Sequence, residues 1–484
     1  MKKTKLLMAF AAAAIGVGTA ASLTSCGSFE GILFWGPSEH EALYKALWNE
    51  FVEANPEYAG IEFQYGNKGD AGAYDGLAVD VQSGASIYTF ANDQLANIVR
   101  IGGAAALPDA DAKWIEENHT QAANDAGKID GKYYGYPVSA DNGYVFCYNK
   151  EAFEGTSVWD EETDNLKAGY TLRDLYAALD DKGLDEETGY DWGNGLVLWA
   201  CGSAWYESGV FFGTGGDYSI KFDSEGKQES AECWFGYTED ASGNKDYTIG
   251  LEAARCMVNS YTNEDGSISK HFMYSDDEKP AYNDLVSKYI AEKSKPLAGV
   301  VSWNNGAVFE SKWGDNYRAT VLPTLEAKTA QLGGDGTKYT WKTFGGYKLM
   351  GINPYSAFAR KDPENLNILR KLAQFLTGYE ASMDRFEASG LGPSNLEAQQ
   401  NEAVQASPFL SALADQYALT NDEGKNIGYR VQDSTPTNFW DPIAAFGKNL
   451  FEKISTGKDD GYGSEESIKS TLERLQLDIE SATK

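Results

Sequence analysis

Gly31-Ile32-Leu33-Phe34-Trp35-Gly36-Pro37-Ser38-Glu39-His40-Glu41-Ala42-Leu43-Tyr44-Lys45-Ala46-Leu47-Trp48-Asn49-Glu50-Phe51 is the stretch whose reading decides the fold. Residues 31–35 are a short apolar run closed by Gly36-Pro37, as expected of a buried strand. Ser38 and Glu41 stand at the spacing of a capping box, and Leu43, Tyr44, Leu47, Trp48 and Phe51 then repeat with helical period. A second strand is expected at Ile61-Glu62-Phe63-Gln64-Tyr65, a helix from Tyr74 to Gln82, and a third strand at Ile87-Tyr88-Thr89-Phe90. Strand, helix, strand, helix, strand is the rhythm of an α/β protein with a parallel sheet and crossover helices. Ligands of such sheets sit beyond the carboxyl ends of the strands, which places Gly36 to His40 and Phe90 to Gln94 at a cleft.

Further along, the segment from Asp130 to Lys150 suggests two short strands around Pro137 and Gly143, suited to a crossing between domains. Buried strands are expected at 298–303 and 318–323, and a glycine-rich loop at Gly333 to Gly336 leads into 343–347 and 349–352. Between Gly213 and Gly250 glycine and polar residues point to loops or a hairpin insertion. Asp362-Pro363 opens a helix through Leu366, Leu369, Leu372 and Leu376 that ends near Gly378. Ser464 precedes a last helix with Ile468, Leu472, Leu475 and Ile479 on one face. No repeat of fixed period is evident.

The amino terminus carries its own message. Lys2, Lys3 and Lys5 precede an apolar run from Leu6 to Val17, followed by Leu23-Thr24-Ser25-Cys26. This is the layout of a secretory signal, 1–25, and too short for a membrane span. A cysteine directly after small residues resembles the bacterial lipobox, so Cys26 is the expected lipidation site, with 26–30 a tether to the extracytoplasmic face of the membrane. The compartment would be periplasm or cell exterior.

The chain of 484 residues has 41 Lys and Arg against 72 Asp and Glu, a net charge of −31. Such charge opposes nucleic acid and anionic lipid as partners. Disorder is excluded by 42% apolar and 13% aromatic content. Twelve tryptophans and 29 tyrosines exceed ordinary packing needs and suit sugar rings, whose C–H faces stack on aromatics. Cys147 reads as a buried strand residue. Cys201, Cys233 and Cys256 have no zinc or CxxC spacing, and a Cys233 pairing with Cys201 or Cys256 is left open. No metal or other cofactor is expected.

Several stretches together resemble the bacterial extracellular solute-binding proteins of ABC importers, of the maltose/maltodextrin-binding type. They are Ile32-Leu33-Phe34-Trp35 with its helix, Ile87 to Leu95, and Asp130-Gly-Lys-Tyr-Tyr-Gly-Tyr-Pro with Tyr148-Asn149-Lys150. Val321-Leu322-Pro323-Thr324, Gly346 to Ser356, Gly390-Leu391-Gly392 and Asn438-Phe439-Trp440 follow in the same order. The resemblance implies a two-lobed periplasmic-binding-protein (type II) fold with a hinge between lobes. It puts lobe one at 29–140 and 343–395, and lobe two at 141–342 and 396–484. It also implies a monomeric receptor that delivers an oligosaccharide to ABC permease subunits.

By resemblance, Glu39 and His40 match an acidic–basic pair after the first strand, with His40 in place of a lysine. Phe90 falls at a stacking tryptophan, Asp93 at a sugar-binding aspartate, Gln94 at an arginine, and Asp141 at a glutamate beside the crossing. Trp440, Trp205 or Tyr206, and Trp303 are expected to stack on sugar rings from lobe two. A carboxylate accepts two vicinal hydroxyls through charge-assisted bonds, which gives these types a physical rationale. Three rivals are weighed. A glycoside hydrolase would need two carboxyls about 5–9.5 Å apart, from Asp93, Asp141 and Glu39. A calcium loop at 263–268 fails because Tyr261 and Phe272 occupy ligand positions. The same fold could instead hold a polyamine or a peptide.

Overall fold

The computed structural model describes residues 29–222, 228–274, 282–436, 438–457 and 464–481. The leader expected at 1–25 and the expected lipidation site Cys26 lie outside the described residues. Two sheets organise the rest, each flanked by helices.

The first sheet runs Phe63–Asn67, Ile32–Gly36, Ile87–Ala91, Thr343–Ile352 and Tyr429–Val431, with Tyr136–Asn142 also paired to Thr343–Ile352. The strand Ile32–Gly36 is parallel to both its neighbours, as the alternation of strand and helix requires. Thr343–Ile352 returns antiparallel to Ile87–Ala91, with Lys348 opposite Ala91. The helix Glu41–Ala54 turns Tyr44, Leu47, Trp48 and Phe51 onto this sheet. Each such side chain, fully removed from water, stabilises the fold by about 2–3 kcal/mol.

The second sheet runs Phe272–Tyr274, Leu196–Trp199, Leu297–Ser302, Tyr144–Asn149 and Tyr317–Thr320. Tyr144–Asn149 is buried along its whole length, which is why its residues read as one apolar run and why Cys147 sits at 0% exposure. Cys147, Cys201, Cys233 and Cys256 are all free and buried.

The chain passes between the sheets at Asn142–Tyr144 and again at Lys342–Thr343. A third passage is the short strand Tyr429–Val431, which lies parallel to the start of Thr343–Ile352 and so belongs to the first sheet, although it falls within 396–484. Two lobes joined by such crossings form a clamp.

Some local expectations need correction. Ser38 does not cap the first helix: Ser38–His40 is a single 3-10 turn, and the Ser38 hydroxyl turns to Glu39. The second helix covers only Ala73–Val79. Gly333–Gly336 is the start of a strand, Gly333–Thr340, whose glycines at positive φ give the hairpin with Thr324–Thr329 its bulge. The helix after Pro363 spans Asn365–Thr377, stopping at Gly378 as expected, and Ser464 caps Glu465–Glu480. Tyr218–Phe222 pairs antiparallel with Gln228–Cys233, and Thr238–Glu239 with Lys245–Asp246. No described helix is long and apolar enough to cross a membrane.

Candidate functional site

Because the strands at 32–36 and 87–91 run the same way, their carboxyl ends open on one edge. Leu196–Trp199 and Leu297–Ser302 do the same in the other lobe. The four ends face each other across a cleft of about 1170 Å³.

On the first-lobe side, Glu39, Asp93 and Gln94 line the cleft together with Asp70, Tyr74 and Lys348. Asp93 is 9% exposed, and its Oδ1 finds no hydrogen-bond partner. Burial pushes its carboxyl up to about 7; the backbone N–H groups of Asp93 and Gln94 oppose the rise and the charge of Asp433 adds to it. Gln94 is spent on structure at both ends: its Nε2 donates to the Asp70 carbonyl at 2.6 Å and its Oε1 accepts from the Tyr74 amide at 3.0 Å. It pins the loop that carries Asp70 and Tyr74. Asp70 accepts from the Thr89 hydroxyl at 2.5 Å and pairs with Lys348 at 3.3 Å.

Across the cleft stand Trp205, Tyr206, Trp303 and Trp440. Each follows a strand or opens a helix: Ala204–Gly213, Trp303–Trp313 and Trp440–Thr456 all begin at the cleft. Trp205 stacks on Phe344 at 4.9 Å and lies 6.2 Å from Trp440, so the two indoles make an adjoining apolar wall. Ser302 fixes that wall, its Oγ accepting from Trp205 Nε1 and sharing a hydrogen bond with the Tyr206 hydroxyl, both at 3.3 Å. Acids on one face and aromatics on the other suit a ligand with hydroxyls at its rim and apolar faces.

Three of the expected residues stay out of the cleft. Phe90 is fully buried against Tyr88 beneath the first sheet, because the strand Ile87–Ala91 is covered on both sides and has no solvent face. His40 is buried at the start of the first helix, its ring stacked 5.9 Å from Trp303; burial first, then the Lys348 charge, lowers its pKa, which keeps it neutral. Asp141 lies inside the crossing, accepting from the Gly392 amide at 2.6 Å, and burial raises its pKa. Asp70, Tyr74 and Lys348 were not found in the sequence. Lys348 left a trace, as the one charge in the run from Phe344 to Ile352.

The buried Asp93 makes a pH prediction. Its folded pKa lies above the unfolded value of about 3.9, so the folded state holds the proton longer and stability falls between about pH 4 and pH 7. Asp93→Asn removes that loss. The variant should gain on the order of 4 kcal/mol over the parent above pH 7 and little near pH 4. Thermal melts at pH 4, 6 and 8 check this; a difference independent of pH would contradict the buried, proton-holding carboxyl.

Residues 46–412 match the model of the bacterial extracellular solute-binding protein family, and the chain belongs to that family. Among curated proteins no sequence relative is found. Solved structures agree with the two-lobed type II fold. One, solved with acarbose, shares 21% identity over 93% of this chain and 98% of its own, with a TM-score of 0.67. A maltose/maltodextrin-binding domain from Bdellovibrio bacteriovorus, bound to maltotriose, shares 15% identity over 93% and 98%, with a TM-score of 0.63. A maltodextrin-binding protein of L. casei without ligand shares 18% over 93% and 99%, with a TM-score of 0.62.

Proposed function

We propose that this protein is the lipid-anchored receptor of an ABC importer and that it captures an α-glucan oligosaccharide without turning it over. The observation that carries the reading is the opposition of Trp205 and Trp440 to Asp93 and Glu39 across one cleft. Ring faces shield sugar carbons while carboxylates accept hydroxyls. The cleft exceeds the usual span of small-ligand pockets, roughly 300–1,000 Å³, and so favours several sugar units over one. Solved proteins of the same fold are named for maltodextrin and carry maltotriose or acarbose. In this reading the lobes are 29–140 with 343–395 and 141–342 with 396–484. They draw together on the ligand, and the closed form engages the permease as a monomer.

A hydrolase loses ground because Asp141, one of its three candidate carboxyls, lies in the crossing. A polyamine remains a second reading, favoured by the lining charges: Glu39, Asp70, Asp75, Asp93 and Asp441 against Arg100 and Lys348. Calorimetric titration with maltose, maltotriose, a β-linked gluco-oligosaccharide and spermidine separates these. Micromolar or tighter α-glucan binding with no released glucose supports the receptor; spermidine binding with silence on every sugar overturns the ligand. The anchor has its own test. Cys26→Ser should move the protein from the membrane fraction to the soluble extracytoplasmic fraction, whereas unchanged membrane association contradicts acylation at that thiol.

A further inference from the structure

The resemblance made Trp303 a platform for sugar, but the structure gives its ring other company. Trp303 follows the second-sheet strand Leu297–Ser302, yet its indole lies against two side chains of the first lobe. The Lys348 ammonium sits 4.3 Å from the ring centroid, and the His40 imidazole stacks at 5.9 Å with an interplanar angle of 25°. Only 8% of Trp303 remains exposed. Lys348 is itself held in place, its side chain 9% exposed and paired with Asp70 at 3.3 Å, while Asp70 is fixed in turn by Thr89. His40 is neutral there and offers an aromatic face, not a competing charge.

We infer that Trp303 and Lys348 form a clasp between the lobes, which draws the cleft toward closure before any ligand arrives. Lys348 is then a positioning residue. It acts on affinity through the lobe equilibrium and not by touching the solute. A cation over an indole, partly withdrawn from water, shifts a closed-to-open ratio by about 2- to 30-fold. A binding site that is partly closed in advance spends less of its affinity on closing. The stacking surface left to a ligand is the Trp205–Trp440 wall, with Trp303 engaged by the protein itself.

The test needs no ligand, so it stands apart from the sugar reading. Small-angle scattering of the delipidated, ligand-free protein is compared among the parent, Lys348→Met, Lys348→Arg and Trp303→Leu. Thermal melts run alongside to establish that each is folded. The clasp predicts a larger radius of gyration for Lys348→Met and for Trp303→Leu, and the parent value for Lys348→Arg, which keeps a cation over the ring. Trp303→Leu leaves the Lys348–Asp70 pair intact, so it still decides the matter if Lys348→Met fails to fold. Equal radii for the parent and Trp303→Leu, or an open Lys348→Arg, overturn the inference.

Discussion

Trp440→Ala is expected to weaken oligosaccharide binding by more than tenfold, over about 1.4 kcal/mol, while the melting temperature stays within a few degrees of the parent. Trp440 is half-buried at the first position of the helix Trp440–Thr456, with one side packed on Phe439 at 4.9 Å and near Trp205. The core of that helix is carried by Ile443, Phe446 and Leu450, which the substitution leaves alone. What is lost is the outer part of the apolar wall. Buried aromatic anchors of this kind carry a disproportionate share of binding energy. Calorimetry of the variant against maltotriose reads the effect, and an unchanged affinity would remove Trp440 from the stacking face.

Gly209→Ala should cost the fold about 2–4 kcal/mol, although alanine is the better helix former by about 1 kcal/mol. Gly209 lies inside the helix Ala204–Gly213, where that helix presses on two of the three passages between the lobes, at Tyr144 and at Lys342. Its carbonyl accepts from the Lys342 amide at 3.3 Å, and an added Cβ would overlap the Lys342 carbonyl oxygen and the Tyr144 hydroxyl. Lys342 is backbone at a crossing and cannot swing aside as a surface side chain would. The helix must therefore back away, and it carries Trp205 and Tyr206 with it. A fall in both melting temperature and ligand affinity is the expected pair of results. Gly60→Ala, where a Cβ meets nothing within 4 Å, serves as the neutral control.

The fold was legible because its signals are local and repeated. The apolar run at 32–35, the helical period from Leu43 to Phe51 and the next two strands each speak for themselves, and parallel pairing follows from their alternation. The cleft's position followed as well, since strand carboxyl ends are set by topology. Individual site residues were less legible, and the reasons differ. Phe90 faces inward because its strand is covered on both sides, which neighbouring sequence cannot reveal. Asp141 is bound up by Gly392, some 250 positions away, in a contact made only by folding. Lys348 and Asp70 meet across the sheet in the same manner. Gln94 lines the cleft, but its amide is committed to the Asp70–Tyr74 loop, so the role suggested by its position differs from the one its contacts allow.

Whether sugar lies between the two lobes is tested most directly by a crystal structure of the protein grown with saturating maltotriose. The account predicts density for glucose rings in the cleft, one ring facing the Trp205–Trp440 wall, hydroxyls within hydrogen-bonding reach of Asp93, and the glycosidic bonds intact. An empty cleft, a saccharide bound elsewhere, or cleaved sugar would contradict it.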